Sequence, residues 1–256
     1  MYKTAALLSL LLTGIITQPK EVRASVTSST ETEQPVDEPT IKLPTWNGTA
    51  ELGSIRTTGD TDTSNFSGKF SILRKGEFWD SGLKLSVLTS KEDGETSKER
   101  YEGTLTLDHQ FTEHHYLASS ASYEFDRFSG YDYQTLISLG YGYRLTNTDE
   151  HHLDLEVGPG YRYDKLKADN EIEEETVLRL AGKFFWQLNE AVQFDQLLSV
   201  NTGSQKTIWL SETGLKSQIN GSLATKINYR VDYTDVVPED AANTNTEFEV
   251  TLAYSF

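Results

Sequence analysis

Apolar and polar residues alternate along most of this chain, from Trp46 to Phe256. A period of two places successive side chains on opposite faces of a β-strand, whereas a helix needs a period of 3.6. The alternation recurs about every 17 residues, and no run of 18 apolar residues interrupts it. The chain is therefore predicted to be built from strands.

Twelve strands are predicted from this alternation, at residues 46–56, 64–74, 78–89, 99–111, 115–127, 131–145, 152–164, 175–188, 191–201, 206–219, 222–234 and 246–256. Most are longer than the roughly 5 or 6 residues that are usual in soluble domains. A tilted strand that crosses a membrane needs roughly 9 to 11 residues. Strand length therefore favours a membrane barrel.

Two kinds of connection alternate between the predicted strands. Those on one side are short and turn-like, at residues 75–77, 112–114, 146–151, 189–190 and 220–221. Those on the other side are longer and more polar, at residues 57–63, 90–98, 165–174, 202–205 and 235–245, with 128–130 as a short exception. Short turns at one end and long loops at the other are typical of outer-membrane barrels. We therefore predict an all-β fold, a transmembrane antiparallel up-and-down β-barrel of about 12 strands over residues 46–256, with both of its ends in the periplasm.

Each predicted strand has one apolar side and one charged side. A water-soluble barrel would turn the apolar side inward, and a membrane barrel inverts that arrangement. Aromatic residues fall near both ends of the strands, with Tyr131 and Phe248 at the outer end, as two interfacial belts require. The inverted arrangement predicts that the following charged residues line a pore: Glu51, Lys69, Lys84, Glu102, Asp108, Arg144, Asp154, Glu156, Arg162, Arg179, Lys183, Lys226, Arg230, Glu247 and Glu249.

Four glycines are predicted to face inward on adjacent strands, at Gly140, Gly142, Gly158 and Gly160. Their small size relieves crowding or allows a bend, and Pro159 beside them predicts a β-bulge. Barrels of about 8 strands are filled by side chains, whereas roughly 16 strands leave a clear channel. Twelve strands leave open whether the lumen is a pore or is plugged by its own ion pairs.

The first residues of the chain follow a different pattern. One lysine precedes an apolar run that is too short to cross a bilayer, which predicts a signal peptide over residues 1–24. Residues 25–45 are rich in Ser, Thr, Glu and Pro and are predicted to be a flexible acidic periplasmic leader. The formal net charge of −16 disfavours a nucleic-acid partner. Because the chain has no cysteine, its stability is expected to come from burial and backbone pairing.

No catalytic, cofactor or metal site is predicted. A barrel-embedded lipid enzyme needs a Ser-His pair at the lipid face, but Ser120 and Ser122, on the strand after His109, are predicted to point inward. The other four histidines lie at two short turns. Acidic clusters at residues 60–62 and 169–175 either hold Ca²⁺ or Mg²⁺, which also bridge lipopolysaccharide phosphates, or form a solvated rim.

The last strand ends on Tyr254 and Phe256, and it resembles the closing strand of bacterial outer-membrane barrels. That resemblance implies that the chain lies in the bacterial outer membrane, surrounded by its lipid. It also implies the outer-membrane barrel assembly machinery as a partner, with Tyr254 and Phe256 as the assembly signal.

Short motifs stand in three places: Trp46-Asn47-Gly48 followed by Gly59-Asp60-Thr61-Asp62-Thr63, then Gly158-Pro159-Gly160-Tyr161-Arg162-Tyr163, and finally Tyr254-Ser255-Phe256. Together they resemble the YdiY-like family of salt-induced outer-membrane proteins, a domain of unknown function. The resemblance implies an outer-membrane barrel with a link to salt or osmotic stress. We therefore expect a channel for small solutes or cations. Two alternatives stay open: a structural or surface-binding barrel that engages divalent cations or lipopolysaccharide, and a barrel-embedded lipid enzyme.

Overall fold

A computed structural model describes residues 44–57, 63–148, 150–237 and 242–256. They form the twelve strands β1 (Thr45–Thr57), β2 (Thr63–Lys75), β3 (Trp79–Glu92), β4 (Glu95–Gln110), β5 (His115–Asp126), β6 (Tyr131–Asn147), β7 (His151–Leu166), β8 (Ile172–Gln187), β9 (Val192–Thr202), β10 (Thr207–Gln218), β11 (Leu223–Thr234) and β12 (Thr244–Ser255). All twelve predicted strands are present. The predicted signal peptide, nearly all of the predicted leader, and the acidic pair Asp60 and Asp62 lie outside the described residues.

The strands form one closed antiparallel barrel. Each strand pairs with its neighbours in sequence, and β1 closes the ring on β12. The predicted up-and-down barrel of twelve strands is therefore confirmed. We call the end that carries Thr45 and Phe256 the periplasmic end and the opposite end the outer end. In the described part of the chain, no helix is long and apolar enough to cross a membrane.

The apolar side of each strand faces away from the barrel axis. Leu105, Ile227 and Phe248 are exposed on the outside, whereas charged residues such as Glu51 and Arg162 are buried inside. Exposed apolar surface costs about 25 cal/mol per Å² in water, and that cost disappears in lipid. Because the ring is closed, its ladders satisfy the backbone groups that lipid cannot. The barrel is inside-out, as the alternation predicts.

The connection between β3 and β4 differs from the prediction. A long loop is predicted over residues 90–98, but the strands continue and meet in a two-residue turn at Asp93 and Gly94. Both residues have positive φ, 49° and 86°. Asp-Gly is a preferred pair for the type I′ hairpin turn, whose twist matches that of the flanking strands. The polar composition of this segment therefore belongs to strand ends and not to a loop.

A bulge in β6 turns Tyr131 inward. The pairing of β6 with β7 shifts between Tyr131 and Tyr133, so Tyr131 leaves the outward row and becomes almost completely buried. The prediction that Tyr131 belongs to the outer aromatic belt is wrong for this reason. The predicted bulge at Pro159 is also absent, because the register of β6 with β7 has the same offset on both sides of that residue.

Candidate functional site

The charged residues inside the barrel form the candidate site. Alternation along the strands places all of the predicted pore-lining residues on the inward side: Glu51, Lys69, Lys84, Glu102, Asp108, Arg144, Asp154, Glu156, Arg162, Arg179, Lys183, Lys226, Arg230, Glu247 and Glu249. Most of them pair with one another across or along the lumen. Three groups of ion pairs lie inside the barrel. They are the outer ion cluster around Arg230 and Glu102, the loop anchor around Lys206 and Asp164, and the periplasmic ion cluster around Arg144 and Asp80.

The outer ion cluster joins β4 to strands on the other side of the barrel. Nη1 of Arg230 on β11 lies 2.7 Å from Oε1 of Glu102 on β4. Arg100 on β4 binds Glu247 on β12, and Lys98 donates to the same carboxylate at 2.6 Å. Around the ring, β4 lies five strands from β11 and four from β12. These side chains therefore bridge the lumen and do not merely line one wall.

The distance that Arg230 and Glu102 bridge requires a flattened barrel. Twelve strands about 4.8 Å apart and tilted about 40° form a circle of roughly 24 Å backbone diameter, on which strands five positions apart are separated by roughly 23 Å. An extended arginine and an extended glutamate that meet head to head span at most about 15 Å between their Cα atoms. The wall at β4 and the wall at β11 and β12 are therefore closer together than in a circular barrel.

The carboxylates of the outer ion cluster have several partners each. Glu102 accepts from Arg230 and from the Ser86 hydroxyl at 2.7 Å. Arg230 also binds Asp232 at 2.6 Å and lies 3.5 Å from Glu212. Multiple partners are what a poorly hydrated charge needs, because an ion pair away from water must recover the cost of desolvation through added hydrogen bonds. The cluster is a connected network in the outer half of the lumen.

The loop anchor holds the β9–β10 connection inside the outer mouth. Lys206, at the end of that connection, lies 2.8 Å from the Asp164 carboxylate and 2.8 Å from the Tyr131 hydroxyl. Arg162 binds Glu175 at 2.6 Å and donates to the Lys206 carbonyl at 3.5 Å. The side chains of both ion pairs are almost completely buried. The connection is thus fixed to β7 and β8 by paired charges.

The environment of Lys206 keeps its ammonium charged. Burial acts to lower the pKa of Lys206, but the Asp164 carboxylate and the hydrogen bonds to Asp164 and Tyr131 outweigh burial and raise the pKa above its ordinary value of 10.5. The ammonium also lies 4.1 Å from the centre of the Tyr131 ring, a favourable cation–π distance. The Lys206 ammonium therefore stays charged throughout the physiological range.

The periplasmic ion cluster spans β3 to β8. Arg144 lies 3.6 Å from Asp80 and 3.8 Å from Asp154, and Lys183 binds Glu156 at 2.5 Å. Below these residues the lumen opens into a cleft of about 410 Å³ at the periplasmic mouth. Its wall is formed by Gln187, Glu190, Ala191, Gln193, Lys216 and Gln218. This cleft lies at the β8–β9 turn beside β10, and its only charged lining residues are Glu190 and Lys216.

Sequence reasoning missed several residues of the site. Arg100 follows the same inward alternation as Glu102 and is recoverable from the pattern. Glu175 is predicted to begin the eighth strand and to belong to the acidic cluster at residues 169–175. β8 instead begins at Ile172, so both Glu173 and Glu175 face the lumen, where Glu173 contacts Lys206 at 3.2 Å. The hypothesis of an acidic loop cluster over residues 169–175 is wrong. Glu173 and Glu175 face the lumen, whereas Glu174 between them contacts the exposed Tyr161 on the outside. Lys206 is predicted to begin the tenth strand, but β10 begins at Thr207, so Lys206 lies in the β9–β10 connection, and alternation does not indicate its buried pair with Asp164.

The histidines pack among aromatic rings at the periplasmic end. The His109 ring lies 4.4 Å from that of Trp79 and 5.2 Å from that of Phe111, and its Nδ1 is 3.1 Å from the Phe78 carbonyl oxygen. His109 thus belongs to an aromatic girdle. Within the described ranges, no group of three or more His, Asp or Glu side chains is arranged to hold a metal ion.

The terminal phenylalanine closes the ring at the periplasmic end. The amide of Phe256 donates to the Gly48 carbonyl at 2.9 Å, and the amide of Gly48 donates to the Phe256 carbonyl at 2.8 Å. A Cβ at position 48 would lie 2.3 Å from the Phe256 ring. Only a glycine at 48 therefore leaves room for that ring. Tyr254 and Phe256 both face outward, and their role as an assembly signal stays a prediction.

Comparison with known families identifies the chain. Residues 50–256, the barrel almost from end to end, match the family described as "Protein of unknown function, DUF481". The chain belongs to this family. It is 28% identical over 221 residues to "Uncharacterized protein YdiY" of Escherichia coli (strain K12), a match that covers 86% of this chain and 87% of that protein. The resemblance to YdiY-like proteins is thereby confirmed.

Several solved barrels are similar at low identity. The NanC porin is 11% identical with a TM-score of 0.49, and the likeness covers 81% of this chain and 98% of the porin. An outer-membrane channel from Pseudomonas putida F1 is 10% identical with a TM-score of 0.48, over 88% of this chain and 100% of the channel. The translocator domain of the autotransporter NalP from Neisseria meningitidis is 17% identical with a TM-score of 0.44, over 86% and 91%. These scores add nothing to what the geometry of this barrel establishes.

The barrel itself gives the location. Trp46 and Trp79 are exposed near the periplasmic end, and Phe66 and Phe248 near the outer end, with apolar side chains between them. Aromatic residues near both ends and an apolar band between them form the exterior expected of a barrel that spans a bilayer. A closed barrel of twelve long strands with this exterior is an outer-membrane barrel. The DUF481 protein therefore lies in the bacterial outer membrane.

Proposed function

We propose that this DUF481 barrel is a narrow channel for small ions, whose conductance is limited by the outer ion cluster. The observation that carries the proposal is the bridge from Arg230 to Glu102 across a flattened lumen. Side chains that cross the lumen leave room for ions and water around them but not for a large solute. The cleft at the periplasmic mouth then acts as a vestibule to the constriction.

The same bridge supplies a physical basis for a response to salt. Arg230 and Glu102 keep some exposure to the lumen, so their attraction is weakened by dissolved ions. The screening length falls from about 10 Å at 0.1 M salt to about 3 Å at 1 M. High salt therefore loosens the outer ion cluster while leaving the more deeply buried loop anchor intact. The proposed link to salt or osmotic stress is that the channel conducts better, per unit of bulk conductivity, when salt is high.

The experiment is a planar-bilayer recording of the purified barrel. The wild type is expected to give small, discrete conductance steps that favour neither sign of ion strongly. Arg230→Ala removes the bridging side chain and leaves the carboxylates of Glu102 and Glu212, so it should raise conductance several-fold and favour cations. The control is Lys165→Ala, which breaks an exposed pair with Asp132 at the outer rim and should leave conductance unchanged.

Silence of both the wild type and Arg230→Ala, with folded barrels present in the bilayer, would overturn the channel proposal. It would favour the structural barrel, in which the same ion pairs serve to plug the lumen. The acidic loops that would bind cations in that second reading are reduced here, since Glu173 and Glu175 face inward. The channel therefore remains the function that the geometry supports best.

A further inference from the structure

Arg74 on β2 carries a positive charge on the lipid-facing side of the barrel. It lies directly opposite Trp46 on β1 and Ser81 on β3, and Trp46 is exposed on the outside. Residues that are directly opposite on neighbouring strands share a face, so all three side chains face the lipid. Among the described residues of the periplasmic half, every other Lys or Arg on a strand falls on the inward alternation. Arg74 is therefore an isolated cation at the level of the periplasmic headgroups.

The guanidinium of Arg74 has no acidic partner among the described residues. Nη1 lies 3.4 Å from the Trp79 carbonyl oxygen, Cζ lies 6.0 Å from the centre of the Trp46 ring, and no described carboxylate lies within 4.0 Å of its nitrogens. The carboxylate of Asp80, next to Trp79 on β3, faces inward and accepts from Gln110 at 2.9 Å. A guanidinium carries several N–H donors in a planar fork that matches a phosphate. Most donors of Arg74 therefore stay available to a ligand.

The neighbours of Arg74 hold its guanidinium in place. The Trp79 ring lies 4.4 Å from the ring of His109, whose Nδ1 donates to the Phe78 carbonyl at 3.1 Å. A Cβ at position 76 would lie 3.3 Å from Nη1 of Arg74 and 2.7 Å from the Trp79 carbonyl oxygen. The bare backbone of Gly76 therefore leaves room for the guanidinium to reach that carbonyl. Because tryptophan rings prefer the headgroup level of a bilayer, Arg74 is fixed at that level too.

Ser81 supplies a second donor beside Arg74. Its hydroxyl has no hydrogen-bond partner among the described residues, and its small side chain stands between the larger Trp79 and Leu83 on the same face of β3. One step toward the outer end, Leu83 lies directly opposite Ile72 on β2, and both are apolar. From the periplasm toward the bilayer centre, the wall thus offers a guanidinium with a hydroxyl and then apolar side chains. A phospholipid presents its phosphate and its acyl chains in the same order.

We propose that Arg74 and Ser81, framed by Trp46 and Trp79, bind the phosphate of one anionic phospholipid, such as phosphatidylglycerol, in the periplasmic leaflet. The acyl chains lie against the apolar side chains that follow toward the bilayer centre. An anionic headgroup fits better than a zwitterionic one, because the described residues place a cation at the site and no carboxylate beside it to accept an ammonium. The site is on the outside of the wall and does not depend on ion conduction, so either proposal can fail without the other.

Trp186 on β8 provides a matched position without the cation. It is 45% exposed, against 43% for Trp79 at the same end of the barrel. Each of the two lies directly opposite a histidine, Trp186 opposite His151 and Trp79 opposite His109. No Lys or Arg of the neighbouring described strands faces the lipid beside Trp186. A preference of the anionic lipid for Trp79 over Trp186 therefore reports Arg74 and not the aromatic belt in general.

The first test measures quenching of tryptophan fluorescence in vesicles of phosphatidylcholine and phosphatidylglycerol, with bromine on the acyl chains of one lipid or the other. Trp186→Phe with Trp209→Phe leaves only Trp46 and Trp79 to report, and replacing the other three tryptophans by Phe leaves only Trp186. The association constant of phosphatidylglycerol relative to phosphatidylcholine should be about fivefold higher at Trp46 and Trp79 than at Trp186, the preference expected of one cation for an anionic headgroup. Arg74→Gln should lower it to the value at Trp186, and Arg74→Lys should keep most of it.

The second test counts bound lipid by native mass spectrometry of the barrel in detergent with phosphatidylglycerol. The wild type should retain one molecule more than Arg74→Gln. Lys84→Gln, which removes an exposed lysine from the lumen, and Glu77→Gln, which removes the carboxylate of the β2–β3 turn, should both retain it. If Arg74→Gln does not fold, the comparison of Trp79 with Trp186 decides. Equal association constants at the two positions, insensitivity to Arg74→Gln, or loss of the lipid with Glu77→Gln, which indicates a zwitterionic headgroup, would overturn the proposal.

Discussion

The ring of Tyr116 on β5 lies directly over Gly142 on β6. A Cβ at position 142 would stand 2.2 Å from Cζ of Tyr116. The Tyr116 hydroxyl donates to Glu156 on β7 at 2.9 Å, and Arg144 stacks 5.1 Å from the ring centre. Tyr116 thus crosses the bare backbone of Gly142 to join the periplasmic ion cluster, and the glycine is what permits it.

Replacing Gly142 should destabilise the barrel. Gly142→Ala forces the Tyr116 ring off its position, and overpacking of this kind typically costs about 1–3 kcal/mol. The measurement is the free energy of unfolding in urea from lipid bilayers. Gly182→Ala is the control, because its Cβ would meet only Leu155 at an ordinary 3.7 Å. A fully stable Gly142→Ala barrel would show that Tyr116 is free to move away at no cost.

The glycine cluster illustrates what the sequence predicts and what it does not. Alternation correctly places Gly140, Gly142, Gly158 and Gly160 on the inward face, and relief of crowding is the correct reason for Gly142. The side chain that needs the space, Tyr116, is on a different strand, and no local pattern identifies it. Gly140 and Gly158 relieve crowding between backbones, because a Cβ at 158 would lie 2.3 Å from the Gly140 Cα.

Two adjacent residues on β11 should differ strongly in how much an introduced lysine destabilises the barrel. Ile227 faces the lipid, and Asn228 faces the lumen opposite Glu249. Ile227→Lys should destabilise the folded barrel by about 2–4 kcal/mol, the range for a lysine near the middle of the bilayer. Asn228→Lys should cost less than about 1 kcal/mol, since a carboxylate lies beside it. Equal costs in a lipid-bilayer unfolding assay would contradict the inside-out arrangement.

Breaking the loop anchor should be costly unless both charges are removed. Lys206→Met leaves the Asp164 carboxylate buried without its cation, which should destabilise the barrel by about 3–5 kcal/mol. Lys206→Met with Asp164→Leu should recover most of that loss. Lys165→Met, which breaks the exposed pair with Asp132, should cost at most about 1 kcal/mol. If the double change were as harmful as the single one, the pairing would not be the source of the stability.

The contribution of Lys206 should be lost only in alkali. Its pKa is raised above 10.5 in the folded barrel, so the folded state binds the proton more tightly than the unfolded state. The stability that Lys206 adds is therefore complete below about pH 10.5 and falls as the pH rises through the folded pKa. The difference in unfolding free energy between the wild type and Lys206→Met with Asp164→Leu should be constant from about pH 6 to pH 9 and change above pH 10.5. A change near neutral pH would contradict this sign.

The sequence predicts the strands and faces of this barrel well because each strand separates lipid from lumen along its whole length. Side-chain contacts between distant strands cannot be predicted in this way. Glu102 and Arg230 are recognisable as lumen residues from alternation, but nothing in either strand indicates that they meet across five strands. The contact of Tyr131 with Lys206 is not predictable from alternation, because a bulge displaces Tyr131 from its predicted outward row and Lys206 lies just before β10. The outer aromatic Phe248 is predicted correctly, because the alternation of its strand is not interrupted.

The separation between β4 and β11 tests the account most directly, because the bridge requires the lumen to be narrow there. Spin labels on Gly103→Cys and Tyr229→Cys, which face outward beside Glu102 and Arg230, report this separation in a bilayer and leave the bridge intact. The account predicts a label distance roughly 8 Å or more below that of a circular twelve-strand barrel. A distance equal to the circular value would show that Arg230 and Glu102 do not meet, and the constriction would be lost with them.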